Sequence, residues 1–249
     1  MNIIVCVKHV PDTESKITIG GDGSSYDNSG IEYILNPYDE FAVEEALKIK
    51  EAGEGEVTII LLGPENATKT IRTCLAMGAD KAIHLVEDNP MRDGASTAEI
   101  LADTIKNLPH DIVFFGKQSV DQDNAQVGLM VAGILGLPAV SEIVSMEVAD
   151  GKATLKRSIE GGVEVFDATF PAVFTTQKGL NDPRYASLKG IMAAKKKPID
   201  TKDFGAVDSR ITIQKLENPP ARPPGKIVGE GAEAVPQLFG LLKDEAKVL

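Results

Sequence analysis

The chain has 249 residues, 43% of them apolar, and carries a formal net charge of −11. That length suits one large α/β domain with an appendage, and the acidic balance argues against a nucleic-acid partner or an anionic membrane surface. The two cysteines, Cys6 and Cys74, lie in apolar settings, which fits buried small hydrophobes in a reducing compartment. No basic leader precedes Ile3–Val7 and no apolar run is as long as a membrane span, so a cytoplasmic protein without direct membrane insertion is expected.

The first two-thirds alternates between strand-like and helix-like pieces. Ile3–Val7 is a continuous apolar run, followed by a Gly- and Ser-rich insert at Gly20–Ser25 that reads as a loop or hairpin turn. Asn36 then suits a helix N-cap with Pro37 in the first turn, ahead of a helix presenting Ala42, Val43, Ala46, Leu47 and Ile49 and ending near Gly53. Val57–Leu62 is a second buried strand. Asn66 is placed as the cap of a helix with Ile71, Leu75 and Met77, stopped by Gly78. Ala82–Val86 is the third strand, and Ser96 with Glu99 forms a capping box before Leu101, Ile105 and Leu108. Ile112–Phe115 is the fourth strand. A polar turn follows it, and Val127, Met130, Val131 and Ile134 then recur on one helical face up to Gly136.

Strands apolar throughout and separated by amphipathic helices predict a mostly parallel sheet covered on both faces. Ligands bind such sheets outside the carboxyl ends of the strands. Three loops share that edge: Lys8–Thr13, Gly63–Asn66 and Gly116–Gly128. In the last, Asp123 followed by Gln126 resembles a capping box, and a strand, polar turn and helix start can present free N–H groups to a phosphate. Spacing alone leaves an ordinary capped helix start equally open. Neither GxGxxG nor GxxxxGK[ST] occurs, so a Rossmann fingerprint and a P-loop are absent. His9, His84 and His110 are scattered, with no Ser-His-Asp or metal-ligand spacing.

From Glu142 the pattern changes to a β-hairpin section. Ile143–Val148, Ala153–Lys156 and Val163–Phe170 are joined by Asp150-Gly151 and Gly161-Gly162 turns, and Pro171–Thr176 reads as a fifth buried strand. Leu180–Leu188 is a loop with an apolar tip, and the run Lys195–Lys197 reads as a solvated face. The chain divides into an α/β domain at 1–199 and an extended arm at 200–249. The arm holds prolines at 219, 220, 223 and 224 and a helix-like end with Leu238, Leu241, Leu242, Ala246 and Leu249. Such an arm buries little of itself and is expected to lie on another chain.

Several segments together resemble the β subunit of electron transfer flavoprotein nearly end to end. They are Val5–Lys8, Asn36-Pro37 with Ala42–Ala46, Thr70–Thr73 with Ala76–Asp80, Gly116–Gln118 with Asp121 and Asp123, Leu180-Asn181 with Pro183–Tyr185, and Ile191-Met192 with Ala194–Lys197. The resemblance implies an adenine-nucleotide α-hydrolase-like α/β core and a non-enzymatic carrier subunit. That subunit pairs with an α subunit holding the redox-active FAD. It passes electrons from acyl-CoA dehydrogenase-type flavoproteins to a quinone oxidoreductase or another acceptor. By position, a nucleotide would contact Cys6, Asn36, Pro37, Tyr38, Asp39 and Leu62. The loop Gly116, Lys117, Gln118, Ser119, Val120, Asp121, Gln122, Asp123, Asn124, Ala125, Gln126 and Val127 would wrap its phosphate. Asp121 and Asp123 are expected to orient backbone N–H groups, with Lys8, Lys117 or a metal offsetting charge. The family's recognition loop corresponds to 180–192, where Leu188, flanked by Tyr185, Ile191 and Met192, would anchor the partner flavoprotein, with Lys195–Lys197 steering acidic partners.

Thr13 and Ser158 depart from the tyrosine and glutamate of mitochondrial-type members. The β-site ligand is AMP or a second FAD. Electron-bifurcating relatives, which oxidise NADH at that FAD, carry glycine and proline where this chain has Gln122 and Leu129. Those two substitutions favour a structural AMP. A reading from another class is a stand-alone adenine-nucleotide sensor or hydrolase, which would be monomeric and flavin-free.

Overall fold

The computed structural model describes residues 1–53, 55–89, 91–222 and 224–249, so Pro223 of the second proline pair lies outside the described residues. The chain opens with β1 (Asn2–Val7), a two-stranded antiparallel ribbon of β2 (His9–Pro11) and β3 (Tyr33–Leu35), and helix α1 (Pro37–Ala52). Next come β4 (Glu56–Gly63), α2 (Thr68–Met77), β5 (Lys81–Val86), α3 (Gly94–Ile105), β6 (Ile112–Gly116) and α4 (Val127–Leu135). An antiparallel meander follows, made of β7 (Ala139–Ala149), β8 (Lys152–Ile159) and β9 (Gly162–Thr169). The chain then returns through β10 (Ala172–Thr176), α5 (Leu188–Ala194) and β11 (Ile199–Lys202).

All but the β2–β3 ribbon join one nine-stranded sheet in the order β11-β5-β4-β1-β6-β10-β7-β8-β9. Its first seven positions pair in parallel; β8 and β9 add the antiparallel edge. Alternate residues of each parallel strand face opposite layers. Ile3, Val5, Val57, Ile59, Leu61 and Phe114 pack with α1 and α2; Ile4, Cys6, Ile60, Val113 and Phe115 pack with α3 and α4. This two-sided burial makes the strands apolar without a period. After β5 the chain crosses back over β1 to reach β6, which puts the topological switch point at the carboxyl ends of β1 and β6.

Local expectations hold unevenly. The β7–β8 turn runs through Asp150 and Gly151, both at positive φ (49° and 74°), as a tight primed hairpin turn requires. The next turn lies one residue earlier than predicted, because Gly162 already pairs with Ile159 and leaves Glu160-Gly161 as the turn. Helix α2 is entered through a 3-10 turn, Glu65–Ala67, which takes in Asn66, so that Ala67 occupies the cap position. On α4 the buried residues are Gly128, Val131 and Ala132, while Met130 and Ile134 are 37% and 52% exposed. The helix is rotated from the predicted face because it packs on both α3 and the sheet.

The first compact unit is Met1–Leu216, beyond the boundary read at 199. β11 extends the sheet beside β5, and Arg92 Nη1 donates to the Val207 carbonyl at 2.6 Å. Glu217–Leu249 forms the second unit. Among its described residues no regular structure precedes a 3-10 turn at Ala232–Ala234, which leads into α6 (Val235–Gly240) and a π turn at Leu241–Glu245. Among the described residues no helix is long and apolar enough to cross a membrane.

Candidate functional site

A cleft of about 450 Å3 opens at the switch point. Cys6, Leu62, Leu101 and Phe115 form an apolar floor, and the segment from Gly116 to Gly128 forms most of the polar rim. Helix α1 builds its back wall. Asn36 is buried (1% exposed) at the N-cap of α1, yet its side chain caps nothing in its own helix. Instead Asn36 Nδ2 donates to the Gln118 carbonyl at 2.9 Å and Asn36 Oδ1 accepts the Val120 N–H at 3.2 Å. Asp39, three residues on, accepts the Lys8 N–H at 2.7 Å and the Gly116 N–H at 3.0 Å. One helical turn thus ties together the ends of β1 and β6 and the loop beyond. A Cβ at residue 116 would lie 2.3 Å from Asp39 Oδ1, so glycine lets the end of β6 come this close.

Asp121 and Asp123, the two loop carboxylates, each have a side-chain partner nearby. Lys8 Nζ pairs with Asp121 at 2.7 Å, and Gln118 Nε2 donates to Asp123 Oδ1 at 2.7 Å. Among the described residues neither carboxylate accepts a backbone N–H, which corrects the orienting role expected for both. Asp123 does not cap α4 either. Gln126 holds that position without a side-chain cap hydrogen bond, because Asp123 sits at φ 52° outside the turn. The contrast with α3 is sharp. There Asp93, not Ser96, is the cap, accepting N–H groups of Ala95 and Ser96 at 2.9 and 3.0 Å, and Glu99 instead meets Arg210. Among the described residues the first N–H groups of α4 therefore have no side-chain partner at the cleft rim.

Burial pushes the Asp39 carboxyl up to about 7, against the two backbone donors and Asn36, which favour its charged form. Burial, with Asp39 adding to it, also raises the Cys6 thiol far above its ordinary value, so Cys6 behaves as an inert small hydrophobe. His9 is lowered to about 4 by burial, Lys69 and His84; its ring stacks on Tyr33 at 4.7 Å and Nδ1 lies 2.7 Å from Thr70 Oγ1. His84 is buried in β5, with Nε2 3.1 Å from the Gly63 carbonyl, a structural place.

Of the residues read from the sequence, Cys6, Asn36, Asp39, Leu62, Gly116, Lys117, Gln118, Ser119, Asp121, Gln122, Asn124, Ala125, Gln126 and Val127 line the cleft. Pro37, Tyr38, Val120 and Asp123 do not. Pro37 begins α1, Tyr38 gives its carbonyl to Thr176 Oγ1 at 3.0 Å, and Val120 turns its N–H to Asn36. Glu87, Asp88, Asn89 and Arg92 after β5, with Tyr26 and Asn28 ahead of β3 and Tyr33 at its start, also line the cleft and were missed. The signal for the first group was present: the loop after β5 leaves a parallel strand at the same carboxyl edge. Among the described residues no group of His, Cys, Asp and Glu could hold a metal ion.

On the other side of α1, Arg184 pairs with Glu44 at 2.8 Å and also with Glu51. Beyond that clamp Tyr185 is 99%, Leu188 84%, Met192 64% and Ile191 44% exposed. Lys197 is not a free steering charge. Its Nζ donates to the Leu75 and Ala79 carbonyls at the end of α2, while Arg72 donates to the Ala194 and Lys197 carbonyls.

A mostly parallel α/β sheet with a ligand-sized cleft at its switch point is the class that fold and site define. Residues 24–206 match the family model of the electron transfer flavoprotein domain. The chain is 42% identical to an electron transfer flavoprotein subunit beta of Syntrophomonas wolfei, over 100% of this chain and 98% of that one. It is 38% identical to the subunit beta of Bacillus subtilis and 40% identical to the mitochondrial subunit beta of Arabidopsis thaliana, in both cases over the full length of both chains. The chain belongs to the electron transfer flavoprotein β-subunit family.

Proposed function

We propose that the protein is the β subunit of a heterodimeric electron transfer flavoprotein, with a structural AMP in the cleft and the working FAD held mainly by the α subunit. It supports electron transfer from acyl-CoA dehydrogenase-type flavoproteins to a quinone oxidoreductase or another acceptor, and is not itself an enzyme. The observation that carries the nucleotide reading is the N-terminus of α4, which meets the cleft rim with no side-chain cap. Backbone N–H groups left free there suit a phosphate, and the floor of Cys6, Leu62, Leu101 and Phe115 suits a purine.

Gln122 supports AMP over a second FAD. Tyr26, Asp121 and Gln122 line both the main cleft and a smaller hollow of about 230 Å3 beside it. A side chain this long at 122 stands in the wall between the two spaces, where a glycine would leave the cleft free to extend. The extended arm from residue 217, with Val235, Leu238 and Phe239 exposed, suits a subunit that lies on a partner, against a stand-alone sensor or hydrolase.

Nucleotide released by acid from the purified complex tests the reading. One FAD and one AMP per αβ pair is expected. Two FAD per pair would establish the bifurcating, NADH-oxidising alternative, and a flavin-free monomer would establish the nucleotide sensor or hydrolase.

A further inference from the structure

Glu142 is a non-glycine residue at φ 57°, in the left-handed region, inside a strand. The cause is a bulge. β7 pairs Val140 with Phe174 and Ile143 with Thr176, so Ser141 and Glu142 together face Thr175 alone. A second register shift lies on the β8 side, between Ile143 and Ser145. The Glu142 N–H is held at 2.9 Å by Oγ1 of the buried Thr175. Bulges beside ligand sites redirect a side chain, and backbone strain that persists at such a place points to a role. Here, among the described residues, the redirected carboxylate meets Lys117: Glu142 Oε2 lies 3.1 Å from its Nζ.

Lys117 follows β6 and lines the cleft. Among the described residues three cationic side chains do so, and each is engaged. Lys8 meets Asp121 at 2.7 Å, and Arg92 is held by Glu87 and by the Val207 carbonyl. Lys117 has the longest contacts, 3.1 Å to Glu142 and 3.4 Å to Gln177 Oε1, with its ammonium 5.9 Å from the Tyr38 ring centroid. Its carboxylate partner is also 45% exposed, so the pair is screened by water. Lys117 is the cation that an incoming phosphate draws away at least cost.

We propose that Lys117 is the counter-charge of the nucleotide phosphate and that Glu142 is a positioning residue, held by its bulge to park Lys117 at the rim when no phosphate is bound. The proposal rests on the nucleotide reading above and adds the charge that offsets the phosphate. Glu142 competes with the ligand for the same ammonium, so its carboxylate lowers affinity for anionic nucleotide.

The sign of the effect separates this role from a merely structural one. Calorimetric titration with AMP would be made on the full-length protein, stripped of nucleotide and with any partner subunit retained. Glu142→Gln keeps the side-chain length and is expected to bind AMP about 3- to 10-fold more tightly than wild type, the gain shrinking as salt is raised. Glu142→Gly, which relieves the left-handed backbone, is expected to bind more tightly as well. Lys117→Met is expected to bind more weakly, with a shallower salt dependence. Unchanged or weaker binding by both Glu142 variants, with wild type binding AMP, overturns the proposal alone. If wild type binds neither AMP nor FAD, the nucleotide reading falls and this proposal with it.

Discussion

The side chain of Asn36 belongs to helix α1 but serves the loop after β6: its amide accepts the Val120 N–H at 3.2 Å and donates to the Gln118 carbonyl at 2.9 Å. The amide is buried and matched on both sides, so no single smaller residue can replace it. Asn36→Ala is expected to cost about 1–3 kcal/mol in stability and to weaken nucleotide binding by loosening residues 118–120. Asn36→Asp keeps the acceptor but turns a buried carboxylate oxygen toward the Gln118 carbonyl, and should lower the denaturant midpoint at least as far as Asn36→Ala. An Asn36→Ala protein with wild-type stability and nucleotide content would refute the bracing role.

Asp39 gives a pH dependence with a definite sign. Its folded value of about 7 lies above the ordinary 3.8, so the folded protein holds this proton more tightly than the unfolded chain. The stability contributed by that proton is complete below the unfolded value and is lost as pH rises through about 7. The stability of wild type relative to Asp39→Asn should therefore decline between pH 5 and 8. The slope is about 1.4 kcal/mol per pH unit where only the folded form keeps the proton. Denaturant unfolding of both proteins across that range checks it; a flat or rising difference contradicts the assignment.

The sheet was legible in the sequence because Ile3–Val7, Val57–Leu62 and Ile112–Phe115 are buried from both sides, and two-sided burial writes a continuous apolar run. The carboxyl-edge cleft followed from the alternation of strands and helices. What was not legible depended on contacts between distant segments. Asp93 displaced Ser96 as a cap because it also receives Ser209 and Arg210, more than a hundred residues away. Asp123, Ala125 and Glu142 adopt positive φ without being glycine, and while aspartate is enriched there, alanine and glutamate give no such signal in advance. Lys197 read as one of three solvated lysines until the end of α2 supplied carbonyls for it.

Asp93 supports two structures at once. Besides capping α3, it accepts the Ser96 and Ser209 hydroxyls at 2.9 and 2.8 Å and the Arg210 N–H at 2.6 Å. Burial works to raise its carboxyl, but the hydrogen bonds outweigh it and leave the group below its ordinary value. Its stabilising effect is thus present above the unfolded value and fades as pH falls toward the folded one. Asp93→Ala is expected to cost about 2 kcal/mol, the upper range for a lost cap, and to expose the chain after Arg210 to trypsin. Limited proteolysis that finds no new cleavage there would show that other contacts hold residues 203–216.

Leu188 tests the proposed partner surface without touching the core. It is 84% exposed, while the backbone beneath it is fixed by Ser187, whose Oγ accepts the Gly190 N–H at 3.0 Å, and by the Arg184 clamp onto α1. Truncating so exposed a side chain should change folding stability by no more than about 0.5 kcal/mol. If Leu188 is the apolar anchor for a dehydrogenase-type flavoprotein, Leu188→Ala loses about 2 kcal/mol of association. That corresponds to a roughly 30-fold drop in kcat/KM for electron transfer from the partner, with flavin content and melting temperature unchanged. Arg184→Met should lower the same rate through a different route, by releasing the loop, and should also lower the melting temperature. A Leu188→Ala protein that accepts electrons at the wild-type rate would move the docking surface away from α5.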